Sequence, residues 1–482
     1  MYYTGNYFST GFKGQIVSAA MINYFNFKRF GKDYLITNDL GNYMFIEPEV
    51  FRKLVMDKID VSCGRYDEFI EKGFVYSGSS EVFIDKFRHK MADSKSYLFD
   101  PTSLHIFVVT NVCNMHCVYC QAQSNMQKSR GNMSPETAQK AVDIALSSNA
   151  GHLTFEFQGG EPLINYDVIK FIIEYSEEKC RSKTIEYNLV SNLTLLTDEM
   201  LEFFKEHHVM ISTSVDGDKA VHNKNRPYSG GRGTYDDVTA KLKAVQAAGL
   251  SSGAIQTTTR HSLGSYKEMI GTYISLGLKN IFIRPLTPLG FAHDSWSEIG
   301  YTDEEFLRFY RKCIDHLLEL NKSGVYCSEG HAAIFLSKIL SQHPVNYMEL
   351  RSPCGAGIGQ LAYYYDGKIF TCDEGRMFYE MGADAFQLGT VDDDYNSLID
   401  SPVCRAAAAA STLEAIPGCC DCAYEPYCGT CPVLNLAFEN NIFPTAPHDY
   451  KCGIYGGMMD ILFDKIKRND PEEMQILSSW IG

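Results

Sequence analysis

From residue 104 onward the chain repeats one pattern that few architectures can satisfy: a short run of β-branched and aromatic residues, an amphipathic stretch, then another run. The runs are LHIFVVT (104–110), HLTFEF (152–157), TIEYNLV (184–190), VMISTSV (209–215), SGAIQTTT (252–259) and NIFIRP (280–285). Their length and composition predict strands. Between the first two, SPETAQKAVDIALS (134–147) offers Ser134 as N-cap and Pro135 at the first helical position, both helix-start signals. NYDVIKFIIEYSEEKC (165–180), TDEMLEFFKEHH (197–208), YDDVTAKLKAVQAAG (235–249) and SYKEMIGTYISLG (265–277) predict further helices. Strand, helix and strand joined by right-handed crossovers give a parallel sheet. Six such strands are fewer than the eight of a closed barrel. The expected class is α/β, with a parallel sheet, open or curled, over residues 99–300.

The flanks differ. In residues 1–98, YLITNDLGNYMFI (34–46) predicts two strands around a turn, EPEVFRKLVM (47–56) a helix with Pro48 in its first turn, and RYDEFIEKGFVY (65–76) a helix ended by Gly73. This is a small α+β unit of its own. TDEEFLRFYRKCIDHLLELNKSG (302–324) is a long amphipathic helix within a helical bridge, 301–350. From 351 to 460 glycine, short strands and cysteines replace the βα rhythm, and 461–482 is expected to be a closing helix that frays. RAAAAAS (405–411) is a helix former with no assigned function. A hydrophobic content of 45% allows a sizeable core. A net charge of −15 without a basic run argues against nucleic acid. With no secretory signal in MYYTGNYFSTGFKGQ and no run of about 18 apolar residues, no membrane span is expected and the expected location is cytoplasmic.

Sixteen cysteines need a reason. Disulfide frameworks suit small secreted domains, so clustered cysteines here point to metal. Cys63, Cys180, Cys313 and Cys327 stand alone and are expected as small buried apolar residues. TNVCNMHCVYCQAQ (110–123) sets Cys113, Cys117 and Cys120 on one loop after the first strand. Structural zinc wants four ligands, and His116, the only local fourth, lies between two others on the same tight loop. An iron–sulfur cube fits better: three thiolates fix three irons and leave the fourth for an outside ligand. In the second field Cys354 and Cys372 flank a hairpin turning at Asp366-Gly367, followed by Cys419, Cys422, Cys428, Cys431 and Cys452. Two zinc sites are the rival reading there, since they use similar Cys-x2-Cys pairs.

The C-x3-C-x2-C loop with Tyr119 before its last cysteine resembles the signature of radical S-adenosylmethionine (SAM) enzymes. QGGEP (158–162), SN (191–192) and SVDG (214–217) follow the second, third and fourth strands in that family's order, with HNKNRP (222–227) shortly after the last. The resemblance implies a partial (β/α)6 TIM-like barrel over residues 99–300, with a [4Fe–4S] cluster on Cys113, Cys117 and Cys120 that binds SAM. It further implies that Tyr119, Gly159, Gly160, Glu161, Pro162, Ser191, Asn192, Ser214, Asp216 and Arg226 surround SAM, with Glu161 on its ammonium and Arg226 on its carboxylate. The second field resembles the SPASM domain of peptide-modifying members, with its G-x4-C element at Gly367 to Cys372. Cys428 and Cys431 are separated by two residues where three is commoner. That resemblance implies two auxiliary clusters, one on Cys419, Cys422, Cys428 and Cys452, the other on Cys354, Cys372 and Cys431. Gln360 stands where some relatives have a fourth cysteine for the latter, leaving Cys404, Cys420 or an open site. Three [4Fe–4S] clusters and SAM are thus expected. Asp373 matches an aspartate of formylglycine-forming maturases and is either a proton acceptor or a solvated turn carboxylate.

Across nearly the whole chain the sequence is similar to maturases of the His-Xaa-Ser peptide system, including cyclopropylglycine-forming relatives. The resemblance implies oxidation of a ribosomally made precursor peptide with loss of two hydrogens, a 5′-deoxyadenosyl radical as hydrogen abstractor, and flavodoxin or ferredoxin as reductant. Residues 1–98 are then a leader-recognition element or a scaffold packed on the barrel. The alternatives are a sulfatase-type maturase forming formylglycine, and a non-catalytic iron–sulfur electron carrier.

Overall fold

The computed structural model describes residues 21–123, 131–445 and 450–481. The chain divides into two compact units, Met1–Ser94 and Lys95–Gly482.

In the first unit β2 (Asn26–Phe30), β3 (Asp33–Thr37) and β4 (Tyr43–Ile46) form an antiparallel sheet, and β1 (Met21–Ile22) pairs with β5 (Val75–Tyr76). The expected turn between β3 and β4 forms because the Asn38 side-chain oxygen accepts from the Leu40 and Asn42 amides, at 3.2 and 3.3 Å. Helices Pro48–Val55 and Tyr66–Glu71 stand where expected. Strand β2 and helix Ser80–Ser94 were not foreseen. Ile36, Met44, Ile46, Leu54, Phe69 and Phe74 make the core, with Cys63 packed against it.

The second unit is built on one ten-stranded sheet. Its six expected strands are β6 (Leu104–Thr110), β7 (His152–Gly159), β8 (Thr184–Val190), β9 (Met210–Ser214), β10 (Ser252–Thr257) and β11 (Asn280–Arg284), all parallel and adjacent in sequence order. The predicted helices follow them. Ser134 caps Pro135–Leu146, its hydroxyl accepting from the Thr137 amide at 3.1 Å. Tyr166–Lys179, Asp198–Glu206, Tyr235–Ala247 and Tyr266–Ser275 complete the repeat.

Four more strands extend this sheet. β12 (Ser328–Glu329) adds to β11. β13 (Gln360–Tyr364) lies parallel to β6, pairing Gln360 with Leu104 through to Tyr364 with Val108, and carries β14 (Lys368–Phe370) and β15 (Gln387–Thr390) antiparallel. The hairpin at Asp366-Gly367 is present, with Gly367 at φ 90°. Residues 351–460 therefore do not have a sheet of their own; they continue the barrel strands. His105 Nδ1 meets Tyr363 Oη at 2.9 Å across this seam, and the Phe107 and Tyr363 rings stack with centroids 5.1 Å apart.

Helix Asp303–Lys322 starts at a reciprocal Thr302–Glu305 cap and buries Phe306, Phe309, Tyr310, Cys313, Ile314 and Leu317. Cys313 and Cys327 are fully buried, as expected of lone cysteines. The tail does not fray. It forms helices Tyr450–Arg468 and Pro471–Ser479, broken where Asn469 takes φ 52°. Buried Lys465 pins both to Asp315 (2.6 Å) and Glu473 (3.4 Å). Among the described residues no helix is long and apolar enough to cross a membrane.

Candidate active site

Parallel βα folds place their loops, and so their chemistry, at the carboxyl ends of the strands. Here those loops open on a cavity of about 570 Å3, lined by Cys113, Cys117 and Cys120 and also by Cys354, Cys372 and Cys431. The two trios, more than 230 positions apart in sequence, thus face the same space.

The first loop is fastened on both flanks. The amides of His116 and Val118 donate to the carbonyls of Pro227 (2.8 Å) and Asn225 (2.9 Å), and the Phe291 amide donates to Cys120 (3.0 Å). Gly290 makes the last contact possible: at φ 57°, a Cβ there would lie 2.3 Å from the Gln121 carbonyl oxygen and 2.5 Å from that of Cys120. Two of the loop's thiols, Cys113 and Cys117, resist ionisation. Burial pushes Cys113 well up, with Cys117 and Glu161 adding to it. Burial and Cys120 push Cys117 up to about 11 against the pull of Arg226.

The second trio behaves alike. Burial pushes Cys354 to about 11 and raises Cys372 and Cys431, with Glu374 and the neighbouring thiols contributing. Cys372 also caps helix Asp373–Glu380, its sulfur accepting from the Gly375 amide at 3.3 Å. A third group gathers elsewhere: burial raises Cys428, and the next causes are Cys422, Cys452 and Cys419. Buried thiols that oppose one another's ionisation are stable as thiolates only around a cationic centre. The residues present therefore fit iron–sulfur groups.

The other expected residues fall in two layers. Tyr119, Gly159, Gly160, Ser191, Asn192, Ser214 and Arg226 line the cavity; Glu161, Pro162 and Asp216 do not. Glu161 is fully buried, and its carboxylate accepts from Ser191 Oγ (2.7 Å) and the amides of Asn192 (2.7 Å) and Leu163 (3.0 Å). Burial raises its pKa despite these donors. Asp216 is likewise spent on protein, accepting from Tyr119 Oη at 2.8 and 3.0 Å and from Asn225 Nδ2 at 3.1 Å. Arg226 Nη1 donates to Tyr119 Oη at 2.7 Å, while its buried Nε has no partner among the described residues. That orphaned donor fits a ligand carboxylate. Gly159, at φ 154°, lets β7 pass so close to β6 that a Cβ would sit 2.3 Å from the Thr110 carbonyl oxygen.

Asp373 is no solvated turn carboxylate: it is 8% exposed, lines the cavity, and accepts from Arg376 Nε at 3.1 Å and from Nη2. Gln360 also lines the cavity, whereas Cys404 and Cys420 do not. The Cys404 thiol donates instead to the carbonyls of Gly357 (3.4 Å) and Leu398 (3.5 Å).

Sequence reasoning missed Glu156, Arg284, Glu349 and Glu374 on the cavity wall. Glu156 and Arg284 carried a signal. Each sits on the polar side of an alternating strand near its carboxyl end, where such folds keep their sites. Glu349 carried none, because its partner Lys451 lies 102 residues away. Burial opposes the ionised Glu349, but Lys451 and Arg284 outweigh it and hold the carboxyl near 2. The Arg284 guanidinium makes no hydrogen bond or ion pair among the described residues; Tyr347, Glu349 and Glu374 keep it charged against the cost of burial.

The model of the Radical SAM superfamily matches residues 107–281. The cysteine-type anaerobic sulfatase-maturating enzyme of Clostridium novyi is 22% identical over 336 residues, 68% of this chain and 86% of that one. The radical SAM cyclopropyl synthase TigE of Paramaledivibacter caminithermalis is 27% identical over 206 residues, 40% of this chain and 41% of its own length. Among solved structures, Streptococcus suis SuiB bound to precursor peptide SuiA superposes with a TM-score of 0.55 at 15% identity, covering 90% of this chain and all of SuiB, which shows a shared fold. Residues 107–281 match the Radical SAM superfamily, and the chain is related in sequence to sulfatase-maturating enzymes and to a cyclopropyl synthase.

Proposed function

We propose that the enzyme oxidises side chains of a ribosomally made precursor peptide, forming a carbon bond such as a cyclopropylglycine or a crosslink with loss of two hydrogens. The observation that carries this reading is the pair of cysteine trios facing one cavity. In this reading Cys113, Cys117 and Cys120 hold the SAM-binding cluster. Cys354, Cys372 and Cys431 hold an auxiliary cluster whose fourth position Cys404 does not fill, since its thiol is bonded to backbone. Cys419, Cys422, Cys428 and Cys452 hold a third. When bound, these groups supply hydrogen-atom abstraction through reductive SAM cleavage and take up the second electron of the oxidation.

The chain's own residues do the rest. Gly159 and Gly160 leave room for SAM beside the backbone, and Arg226 offers its unused Nε to the SAM carboxylate. Glu161 acts one layer back by holding Ser191 and Asn192 in place. Asp373, facing the cavity and fixed by Arg376, receives the proton that an oxidised peptide radical sheds. Arg284 presents its free guanidinium to the peptide. The first unit serves as the leader-recognition element, an antiparallel sheet being a surface that can take an extended peptide. A flavodoxin- or ferredoxin-type protein delivers the electron.

The test is coexpression with a short peptide reading frame found beside the enzyme's gene. A loss of two hydrogens is expected; an unchanged mass or a gain of oxygen overturns the reading. Cys117→Ala should abolish SAM cleavage, and undiminished 5′-deoxyadenosine formation in that variant would sink the assignment. A second reading, formylglycine formation on Cys or Ser, is favoured by the alignment over 86% of a sulfatase-maturating enzyme. A Cys- or Ser-containing sulfatase peptide that acquires an aldehyde would select it.

A further inference from the structure

Outside the cavity, one buried cation stands out. Lys338 lies in the short π-turn Ser337–Ser341 that ends helix Gly330–Leu336. Its ammonium donates to two backbone carbonyls, Leu350 and Tyr427, the latter at 3.1 Å, and forms no ion pair with a carboxylate among the described residues. An ammonium taken from water onto neutral carbonyls is costly unless an anionic partner compensates it. Tyr427, fully buried, is one peptide bond from Cys428, one of the four cysteines assigned above to the third cluster. An iron–sulfur cluster on four thiolates is anionic, and the anchoring of Lys338 on the carbonyl next to Cys428 sets its ammonium beside that group.

A fixed positive charge beside an iron–sulfur cluster stabilises the reduced form, which carries one electron more, and so raises the potential. We propose that Lys338 is a positioning residue for electron transfer: its charge holds the midpoint potential of a cluster on Cys419, Cys422, Cys428 and Cys452 above the value the four thiolates alone would set. This rests on the cluster assignment made above.

The experiment is an electron paramagnetic resonance redox titration of the full-length, anaerobically reconstituted protein carrying Cys113→Ala, Cys117→Ala and Cys120→Ala, which leaves the two auxiliary clusters. Cys428→Ala identifies which wave belongs to the four-cysteine set. Lys338→Gln and Lys338→Met should both shift that wave to lower potential and leave the other in place, while Lys338→Arg keeps it near the parent value. A wave unmoved in Lys338→Gln and Lys338→Met, or moved as far in Lys338→Arg, overturns the proposal, as does an equal shift of both waves. The failure of the assignment beneath it looks different: Cys428→Ala would then remove neither a wave nor the iron of one cluster, about four atoms per chain.

Discussion

Glu161 shows how a motif can be legible while its role is not. The GGEP run after the second strand is plain in the sequence, and resemblance puts its carboxylate on a ligand ammonium. In the fold both oxygens are spent on Ser191, Asn192 and Leu163, the first two of which only the packing of β7 beside β8 brings within reach. Glu161→Gln would turn an amide NH2 toward one of these donors. A buried donor left without its acceptor costs about 1–3 kcal/mol. The variant should melt earlier and retain less SAM on gel filtration, and an unchanged melting temperature would exclude this supporting role. Gly290 left no such trace, because a lone glycine after a strand has many explanations. Gly290→Ala drives a methyl into the carbonyls of Cys120 and Gln121 and must push the cysteine loop aside. Reconstituted Gly290→Ala should lack about four irons per chain, the content of one cluster, while its other clusters assemble normally.

At the scale of elements, local periodicity sufficed where partners are sequential. Strands β6 to β11 each lie beside the next in the chain, so alternating apolar residues and capped helices between them determine the order. The same logic cannot find a strand's partner 256 residues away. AYYYDGKIFTC predicts a hairpin, and a hairpin forms, but that β13 docks on β6 depends on a contact no local pattern encodes. Tyr363 is the centre of that seam. It is fully buried, stacked on Phe107 and bonded to His105. Deleting a buried aromatic side chain costs about 3–5 kcal/mol. Tyr363→Ala should therefore loosen the C-terminal cysteine region before the rest of the barrel. Limited proteolysis should cut first between residues 365 and 445 in the variant, whereas cleavage in the wild-type pattern would show that the seam does not hold the region in place. Tyr363→Phe, keeping the stack and losing only the hydroxyl, should fall between the two.

For the molecule as a whole, gathering the cysteine sets without iron has a cost, and the thiols record it. Cys117 and Cys354 each ionise near 11 in the folded chain, against an ordinary value near 9. An acid whose pKa is raised by folding binds its proton more tightly in the folded state, so the unfolded state sheds protons first as pH climbs. Stability is therefore intact below pH 9 and drains away between 9 and 11, by at most about 3 kcal/mol for each thiol. Iron removes that dependence, because a ligating sulfur is already a thiolate. Apoprotein stripped of iron should thus lose melting temperature steeply from pH 9 to pH 10.5, while the reconstituted enzyme changes little over the same range. Replacing Cys117 and Cys354 by alanine should flatten the apoprotein's curve without iron. Equal slopes for apo and reconstituted protein would mean that these sulfurs are not the groups that iron holds.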